Sequence, residues 1–74
     1  MLLAYAVDRN IIVALDNKVS EITINFKNSK QKLLKTFTFF QTDFVSIDFE
    51  TTEKILILEI QIAKKIIRRK IIFN

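Results

Sequence analysis

The sequence contains no cysteine, histidine, glycine, proline or tryptophan. Without cysteine there are no disulfide bonds, and without cysteine and histidine the common zinc sites are excluded as well. A 74-residue chain buries only about 60–65% of its unfolded surface, so a dense apolar core or self-association has to stabilise it. Half of the residues are apolar and seven are phenylalanine, more than a small core needs. This surplus predicts a homo-oligomer, either a dimer or a larger assembly.

Long apolar runs are also missing. Residues 1–7 have no basic start of the kind found in a secretory signal, and no run approaches the ~18 apolar residues that crossing a bilayer requires. We therefore predict a cytoplasmic protein with a single domain over residues 1–74. Within it we expect a β-meander over residues 1–62 and a basic C-terminal helix or strand over residues 63–74.

Because glycine is absent, we predict turns at clusters of Asp, Asn, Ser and Thr, which tolerate left-handed backbone or cap a bend. Such clusters occur at residues 8–10, 16–18, 27–30, 41–43 and 51–54. They separate segments of strand length that are rich in β-branched and aromatic residues. The pattern predicts a mainly β fold, a small antiparallel meander sheet of about five or six strands with a short C-terminal helix.

The individual segments differ in how clearly they indicate strands. Residues 2–7 and 11–15 are almost wholly apolar, so their length and flanking turns, and not their periodicity, favour strands. Residues 21–27 alternate apolar with polar side chains, as a half-buried strand does. Residues 33–40 alternate in the same way until Phe40, which interrupts the pattern and predicts a bulge or an interface residue.

Residues 44–62 hold two apolar runs on either side of a polar break and predict a β-hairpin around which the chain is organised. The two strands would share one apolar face, which we expect to be the folding core. Its predicted members are Val45, Ile47, Phe49, Leu56, Leu58 and Ile60. The opposite face, with Ser46, Asp48 and Glu59, is mixed and suits partial exposure or a partner.

The positive charge is concentrated after residue 62. Residues 1–62 carry seven basic and eight acidic side chains, whereas residues 63–74 carry five basic and no acidic ones, giving a net charge of +4. On a helical wheel the basic residues of this segment separate from most of the apolar ones, so we predict a short amphipathic helix. The runs of isoleucine favour a final strand instead, and this alternative stays open.

Between residues 15 and 65 the sequence resembles a small prokaryotic family, domain of unknown function 2283, whose pattern is YDxxxDxLYIRL followed by a hairpin of the form IxxDYDxxGxIVGIEIxxAS. The corresponding positions here are Asp16, residues 21–26 (EITINF), residues 47–50 (IDFE), residues 54–60 (KILILEI) and Ala63. Glu53 and Ile57 replace the two glycines of the family, and Leu15 replaces its tyrosine.

The resemblance implies a compact β-rich fold with a short C-terminal helix and no established activity. It also implies an antitoxin-like or other partner-binding role, because members of the family occur encoded beside a small toxin-like protein. The implied partner is then a small protein encoded nearby.

The candidates for acid–base or metal chemistry are the acids Asp16, Asp48, Glu50, Glu53 and Glu59. Asp48 and Glu59 are expected close together on the mixed hairpin face, where two carboxylates can share a proton or a divalent ion. Acids on the solvent side of a sheet more often serve solubility and register, and this chain has no histidine, cysteine or glycine-rich loop to assist them. We therefore predict a protein that is not an enzyme and that has no metal or cofactor.

The basic residues form a candidate site for nucleic acid or an acidic partner: Lys64, Lys65, Arg68, Arg69 and Lys70. The phenylalanines, however, alternate in phase with Ile and Leu as core residues do, and no RNA-recognition signature is present. Membrane binding is disfavoured because the segment is short and lacks tryptophan. The sequence predicts a small protein-interaction module that self-associates through its β-sheet, with nucleic-acid binding as the alternative.

Overall fold

The computed structural model of the protein describes residues 2–73, which form an antiparallel sheet of five strands and contain no helix. The strands are β1 (Leu2–Val7), β2 (Asn10–Lys27), β3 (Leu33–Asp48), β4 (Ile55–Ile62) and β5 (Lys65–Ile72). The predicted mainly β, antiparallel fold is therefore confirmed.

The central strand is β2. On one side β3 accompanies it over nearly its whole length, whereas the other side is shared by β1, next to residues 10–15, and β4, next to residues 22–27. The last strand, β5, pairs with β4. The predicted meander thus holds for β1–β2–β3 and for β4–β5, but between β3 and β4 the chain crosses to the opposite side of β2.

The hairpin predicted over residues 44–62 is wrong in its pairing, because β3 and β4 lie on opposite sides of β2. The cause is the shortness of β1, whose pairing with β2 ends at Leu15 and leaves residues 22–27 uncovered on that side. Strand β4 fills this place, with Ile60 opposite Ile24 and Leu58 opposite Phe26. Pairing there satisfies the backbone N–H and C=O groups of residues 22–27, which a hairpin of β3 and β4 would leave unpaired on that side of β2.

The sheet bends where the register of β2 and β3 shifts. Residues 15–18 of β2 stand against Asp43 alone in β3, an irregularity of the bulge type that bends a strand and increases its twist. We call the part before the bend the first leaf: β1, residues 10–14 of β2 and residues 44–48 of β3. The second leaf consists of β4, β5 and the remaining parts of β2 and β3.

The bend explains the outcome of the turn predictions. The turns predicted at residues 8–10, 27–30 and 51–54 connect strands, whereas residues 16–18 and 41–43 lie inside β2 and β3 at the bend. In the absence of glycine, left-handed backbone is adopted by Asp8, Gln31, Gln41 and Ala63, with φ between 53° and 65°. Phe40 itself pairs regularly with Glu21, and the irregularity expected at Phe40 begins at the next residue.

One apolar core is built from both leaves: Ile11, Val13, Val45 and Ile47 come from the first, and Ile22, Ile24, Phe26, Leu56, Leu58, Ile60 and Ile71 from the second. Of the six residues predicted as core of the hairpin, only Phe49 is not buried. It is half-buried in the loop after β3, and its ring packs edge-on against Phe26 with centroids 4.6 Å apart. The predicted buried faces are therefore largely confirmed although the predicted pairing is wrong.

The C-terminal helix is wrong, and the alternative of a final strand is confirmed. Strand β5 follows β4 through a two-residue turn at Ala63 and Lys64. Its side chains alternate with a period of two, so that Ile71 is buried and Ile72 is exposed. The β-branched residues suit this strand, which β4 pairs along its length. Asn74, the end of the predicted segment, lies outside the described residues.

Candidate interaction surfaces

The outward side of the first leaf is largely apolar. Cross-strand register places Leu3, Ala14 and Phe44 in one row and Tyr5, Ile12 and Ser46 in the next. Val7, Asn10 and Asp48 form a third row, which is mostly polar. We call the apolar members of this surface the outer apolar face: Leu3, Tyr5, Val7, Ile12, Ala14 and Phe44. It lies on the side of the sheet away from the core, whose contribution from β2 here is Ile11 and Val13.

Exposure within the outer apolar face is unusually high for large apolar side chains. Leu3 is 49% exposed, Tyr5 45%, Val7 53% and Phe44 55%. Ile12, at the centre of the face, is only 8% exposed although it does not belong to the core cluster. The neighbouring side chains therefore already form a second apolar cluster, small and open to solvent on one side.

The sequence held a signal for this face that the strand assignments did not use. Residues 2–7 are apolar at every position, so both sides of the strand had to be apolar. An edge strand of an antiparallel sheet normally has one polar side. The continuous run therefore indicated an apolar outer surface, which became visible only once Leu2, Ala4 and Ala6 were seen to pack against the core.

The outward side of the second leaf is mixed by contrast, because its exposed apolar side chains, Phe40, Ile66 and Ile72, lie among polar and charged ones. The hydroxyls of Thr23 and Thr38 lie 3.3 Å apart across β2 and β3, and the Thr36 hydroxyl donates to Oδ1 of Asn25 at 2.8 Å. On the next strand, the carboxylate of Glu59 accepts from Nζ of Lys27 at 3.1 Å and from Nε of Arg68 at 3.2 Å. The outward sides of the two leaves thus differ in character, and only the first leaf groups its exposed apolar side chains in adjacent rows.

The hydrogen bond from Lys27, together with the charges of Lys27 and Arg68, holds the pKa of the Glu59 carboxyl below its usual value of 4.5, against the opposing effect of desolvation. A carboxyl whose pKa is lowered on folding stabilises the fold above its unfolded pKa. That contribution is lost as the pH falls through the folded pKa. Glu59 is therefore expected to contribute to stability at neutral pH and not in strong acid.

Replacing Glu59 by glutamine tests this contribution. We expect E59Q to have a lower free energy of unfolding than the wild type at neutral pH, and the difference to shrink towards zero as the pH falls through the folded pKa of Glu59 and the wild-type carboxyl becomes protonated. Urea titrations at a series of pH values measure both curves. Glu21→Gln, at an exposed position of β2, is the control. A wild-type-to-E59Q difference independent of pH would contradict the assignment.

The five basic residues predicted as a binding site do not form one face. Lys64 lies in the turn, and strand alternation places Arg68 and Lys70 on the outward side of the second leaf and Lys65 and Arg69 on the core side. Arg68 is held by Glu59 at 3.2 Å. The predicted grouping depended on a helix, so it is lost with the helix, although all five side chains remain exposed.

The acids considered for catalysis are separated as well. Asp48 and Glu59 lie opposite Asn10 and Asn25 of β2, on different leaves, so the predicted proximity of the two carboxylates is wrong. Arg9 lies 3.7 Å from Asp48 and 3.2 Å from Glu50. Within residues 2–73 no three acids come together in a way that would hold a metal ion.

Two of these acids share a cavity. Glu50 and Glu53, in the β3–β4 loop, line an open cavity of about 650 Å³ beside Phe49 and Leu34. The backbone N–H of Glu53 donates to the Thr51 hydroxyl at 3.1 Å, which shapes the loop. Asp16 lies apart from them, in the bulge of β2.

No family model matches the chain, and no curated protein or solved structure is significantly similar to it. The resemblance to domain of unknown function 2283 therefore rests on the residues quoted above. Among residues 2–73 no helix is long and apolar enough to cross a membrane.

Proposed function

We propose that the protein is a non-enzymatic, cytoplasmic interaction module that self-associates through its β-sheet, and that the outer apolar face is the surface it uses. The observation that carries this proposal is the group of exposed apolar side chains around the buried Ile12. Exposed apolar patches rimmed by polar residues mark interaction sites on soluble proteins. On the outward side of the second leaf Phe40 stands opposite Glu21 and Ile66 opposite Gln61, so the exposed apolar side chains there form no comparable surface.

The size of the face is adequate for a dissociable contact. From their fractional exposures, Leu3, Tyr5, Val7 and Phe44 leave about 400 Å² of surface open to water, which is within the ~300–600 Å² range of the largest patch on a typical monomer. Two such faces together bury about 800 Å², less than the ~1,600 Å² of a standard interface. We therefore expect an assembly that forms at micromolar concentration and dissociates on dilution.

Charge favours a second copy as the occupant. The outer apolar face contains no charged side chain, so two identical faces meet without like-charge repulsion. Asp48, at the rim, is already paired with Arg9. The basic excess lies on β5 in the second leaf, where it does not oppose this contact. The resemblance to domain of unknown function 2283 adds an antitoxin-like role to this proposal. In that role a small protein encoded nearby binds the same face.

Nucleic-acid binding through Lys64, Lys65, Arg68, Arg69 and Lys70 stays a prediction and is the weaker alternative. Strand geometry divides these side chains between two sides of the sheet, and Arg68 is occupied by Glu59. The candidate stacking residues Phe26, Phe37 and Phe49 pack on one another. A dissociation constant for DNA or RNA at physiological salt that is well below the ~10⁻⁴–10⁻⁶ M of non-specific contact would favour this alternative.

The substitution Phe44→Lys tests the proposed surface. A lysine there places equal charges on two apposed faces, so we expect the mass of the assembly at micromolar concentration to fall relative to the wild type. Size-exclusion chromatography with light scattering measures the mass against that of the 8.7 kDa chain.

Ile66→Lys is the matched control, because Ile66 is similarly exposed, at 53%, but lies on β5 in the second leaf. It introduces the same charge and should leave the mass unchanged. A wild-type monomer that stays folded at micromolar concentration would refute self-association. An unchanged mass for the Phe44→Lys variant would refute the face as its surface.

A further inference from the structure

Three strands of the sheet each have one edge that pairs with no other strand. These edges differ in how well they are protected against pairing with another chain. In residues 2–73, β1 and β3 pair only with β2, and β5 pairs only with β4. Unpaired N–H and C=O groups along such an edge are a template for adding a strand. The side chains and neighbours of each edge decide whether the template is accessible.

Strand β5 is protected by charge. It contains Lys65, Arg68, Arg69 and Lys70, and two of these, Lys65 and Arg69, lie on the core side of the strand. Cations on an edge, and inward-pointing charges in particular, are common devices against edge-to-edge pairing. The basic segment that suggested nucleic-acid binding therefore has a structural role as edge protection.

Strand β1 is protected by its neighbour. It contacts β5 as well as β2. Strands covered by another element seldom accept a partner strand.

Strand β3 has none of these protections over residues 36–42. The segment reads TFTFFQT, seven consecutive residues without charge, proline or glycine and rich in β-branched and aromatic residues. An uncharged segment of six or seven such residues on an exposed edge is the sequence type that pairs with identical copies of itself. Phe40, within it, is 66% exposed.

We propose that residues 36–40 of β3, the regularly paired part of this segment, pair antiparallel with the same residues of a second copy, so that the two sheets join into one across a two-fold axis at Thr38. This deepens the proposed function and rests on it, since it adds an edge contact to the contact between outer apolar faces. With two different self-complementary surfaces, the assembly extends beyond a dimer.

The alternation of side chains suits such a pairing. An antiparallel pair centred on Thr38 places Thr38 opposite Thr38 and Thr36 opposite Phe40 on the outward side, and Phe37 opposite Phe39 on the core side. A threonine pair of this kind already occurs inside the sheet, where the hydroxyls of Thr38 and Thr23 lie 3.3 Å apart across β3 and β2. Continuing the sheet across the axis therefore keeps the phenylalanines Phe37 and Phe39 on the core side and the threonines on the outward side.

Amide hydrogen exchange separates edge pairing from face packing. Pairing forms hydrogen bonds to alternate amides of residues 36–40, so their exchange should slow by on the order of tenfold between low and high micromolar protein concentration. Contact between outer apolar faces involves side chains and leaves these amides unaffected. Residue-resolved exchange measured by NMR at the two concentrations gives the comparison.

Two threonine variants sharpen the test. Thr38→Lys places equal charges near the two-fold axis and should abolish the concentration-dependent protection and lower the mass of the assembly. Thr23→Lys adds the same charge directly opposite Thr38, but on the central strand β2, and should keep both. Each variant is checked for wild-type folding by circular dichroism.

The outcomes distinguish this inference from the proposed function. Protection of β3 amides that is lost in T38K and kept in T23K and in the Phe44→Lys variant supports edge pairing. Exchange independent of concentration in an assembled wild type, with the Phe44→Lys variant monomeric, overturns edge pairing and leaves the proposed function standing. A wild type that is monomeric throughout overturns both.

Discussion

Replacing Phe26 by alanine is expected to lower the free energy of unfolding by about 3–5 kcal/mol. Phe26 is completely buried, and its ring contacts those of Phe49 at 4.6 Å and Phe37 at 5.3 Å. It also lies opposite Leu58 of β4. The substitution removes both the transfer free energy of the ring and the aromatic contacts that close one end of the core. Since domains of this size have only about 4–11 kcal/mol of stability, the variant should be close to unfolding at room temperature.

Urea unfolding followed by circular dichroism measures this effect at a protein concentration low enough for the chain to be monomeric, because association makes apparent stability depend on concentration. Phe40→Ala is the control, since Phe40 is 66% exposed and changes at such positions usually stay within about 0.5 kcal/mol. Equal losses in the two variants would mean that the aromatic residues of β2 and β3 are misassigned to core and surface.

The buried faces of the strands could be predicted because they follow from local alternation. The residues Ile22, Ile24 and Phe26 stand every second position in the sequence, and all three are fully buried. A period of two identifies the apolar side of a strand without any knowledge of its neighbours. The same reasoning correctly identified Val45 and Ile47 on β3.

The neighbours of the strands could not be predicted in this way. The turn at residues 51–54 indicated a hairpin, but whether β4 pairs with β3 or with β2 depends on where the pairing of β1 with β2 ends, at Leu15, 40 residues before Ile55 in the chain. Local turn signals do not contain that information. Their spacing is equally consistent with a chain that crosses β2, provided the loop is long enough.

The bends were recognised as interruptions but misread as turns. Asp16 and Asn17 are typical turn residues, and the chain does leave the regular ladder there. Strand β3 keeps β2 continuous, because its own irregularity at residues 41–43 lies opposite the irregularity of β2. The two strands therefore bend together and stay paired before and after the bend. Two polar clusters that interrupt apolar segments and can face each other therefore indicate either two turns or a single hairpin whose strands bend together.

The outer apolar face could not be predicted from the sequence for a related reason. A helical reading of residues 63–74 grouped the basic side chains and made them the most conspicuous candidate. As a strand, the segment distributes the same charges over both sides, and the apolar surface of Leu3, Tyr5 and Phe44 becomes the more distinctive feature. These three residues come from two strands separated by β2, so only the assembled sheet brings them together.

The substitutions Ile47→Ala and Leu58→Ala test the conclusion that one core spans both leaves. Ile47 lies in the first leaf and is 6% exposed, and Leu58 lies in the second and is fully buried. Each substitution leaves a cavity in the same core, so we expect each to lower the free energy of unfolding by about 2–4 kcal/mol in a single cooperative transition. Urea titrations followed by circular dichroism and by hydrogen exchange report both the loss and the cooperativity.

The neighbour of Ile47 in the chain provides the control. Ser46 points to the outward side of the first leaf and is exposed, so Ser46→Ala should change the stability by no more than about 0.5 kcal/mol. A larger loss for Ser46→Ala than for Ile47→Ala would invert the assignment of the two faces of β3. If Ile47→Ala instead unfolded the first leaf alone, with the amides of β4 still protected, the two leaves would be separate folding units. The fold argues against that result, because β2 and β3 run through both leaves and the core side chains of one leaf complete the burial of the other.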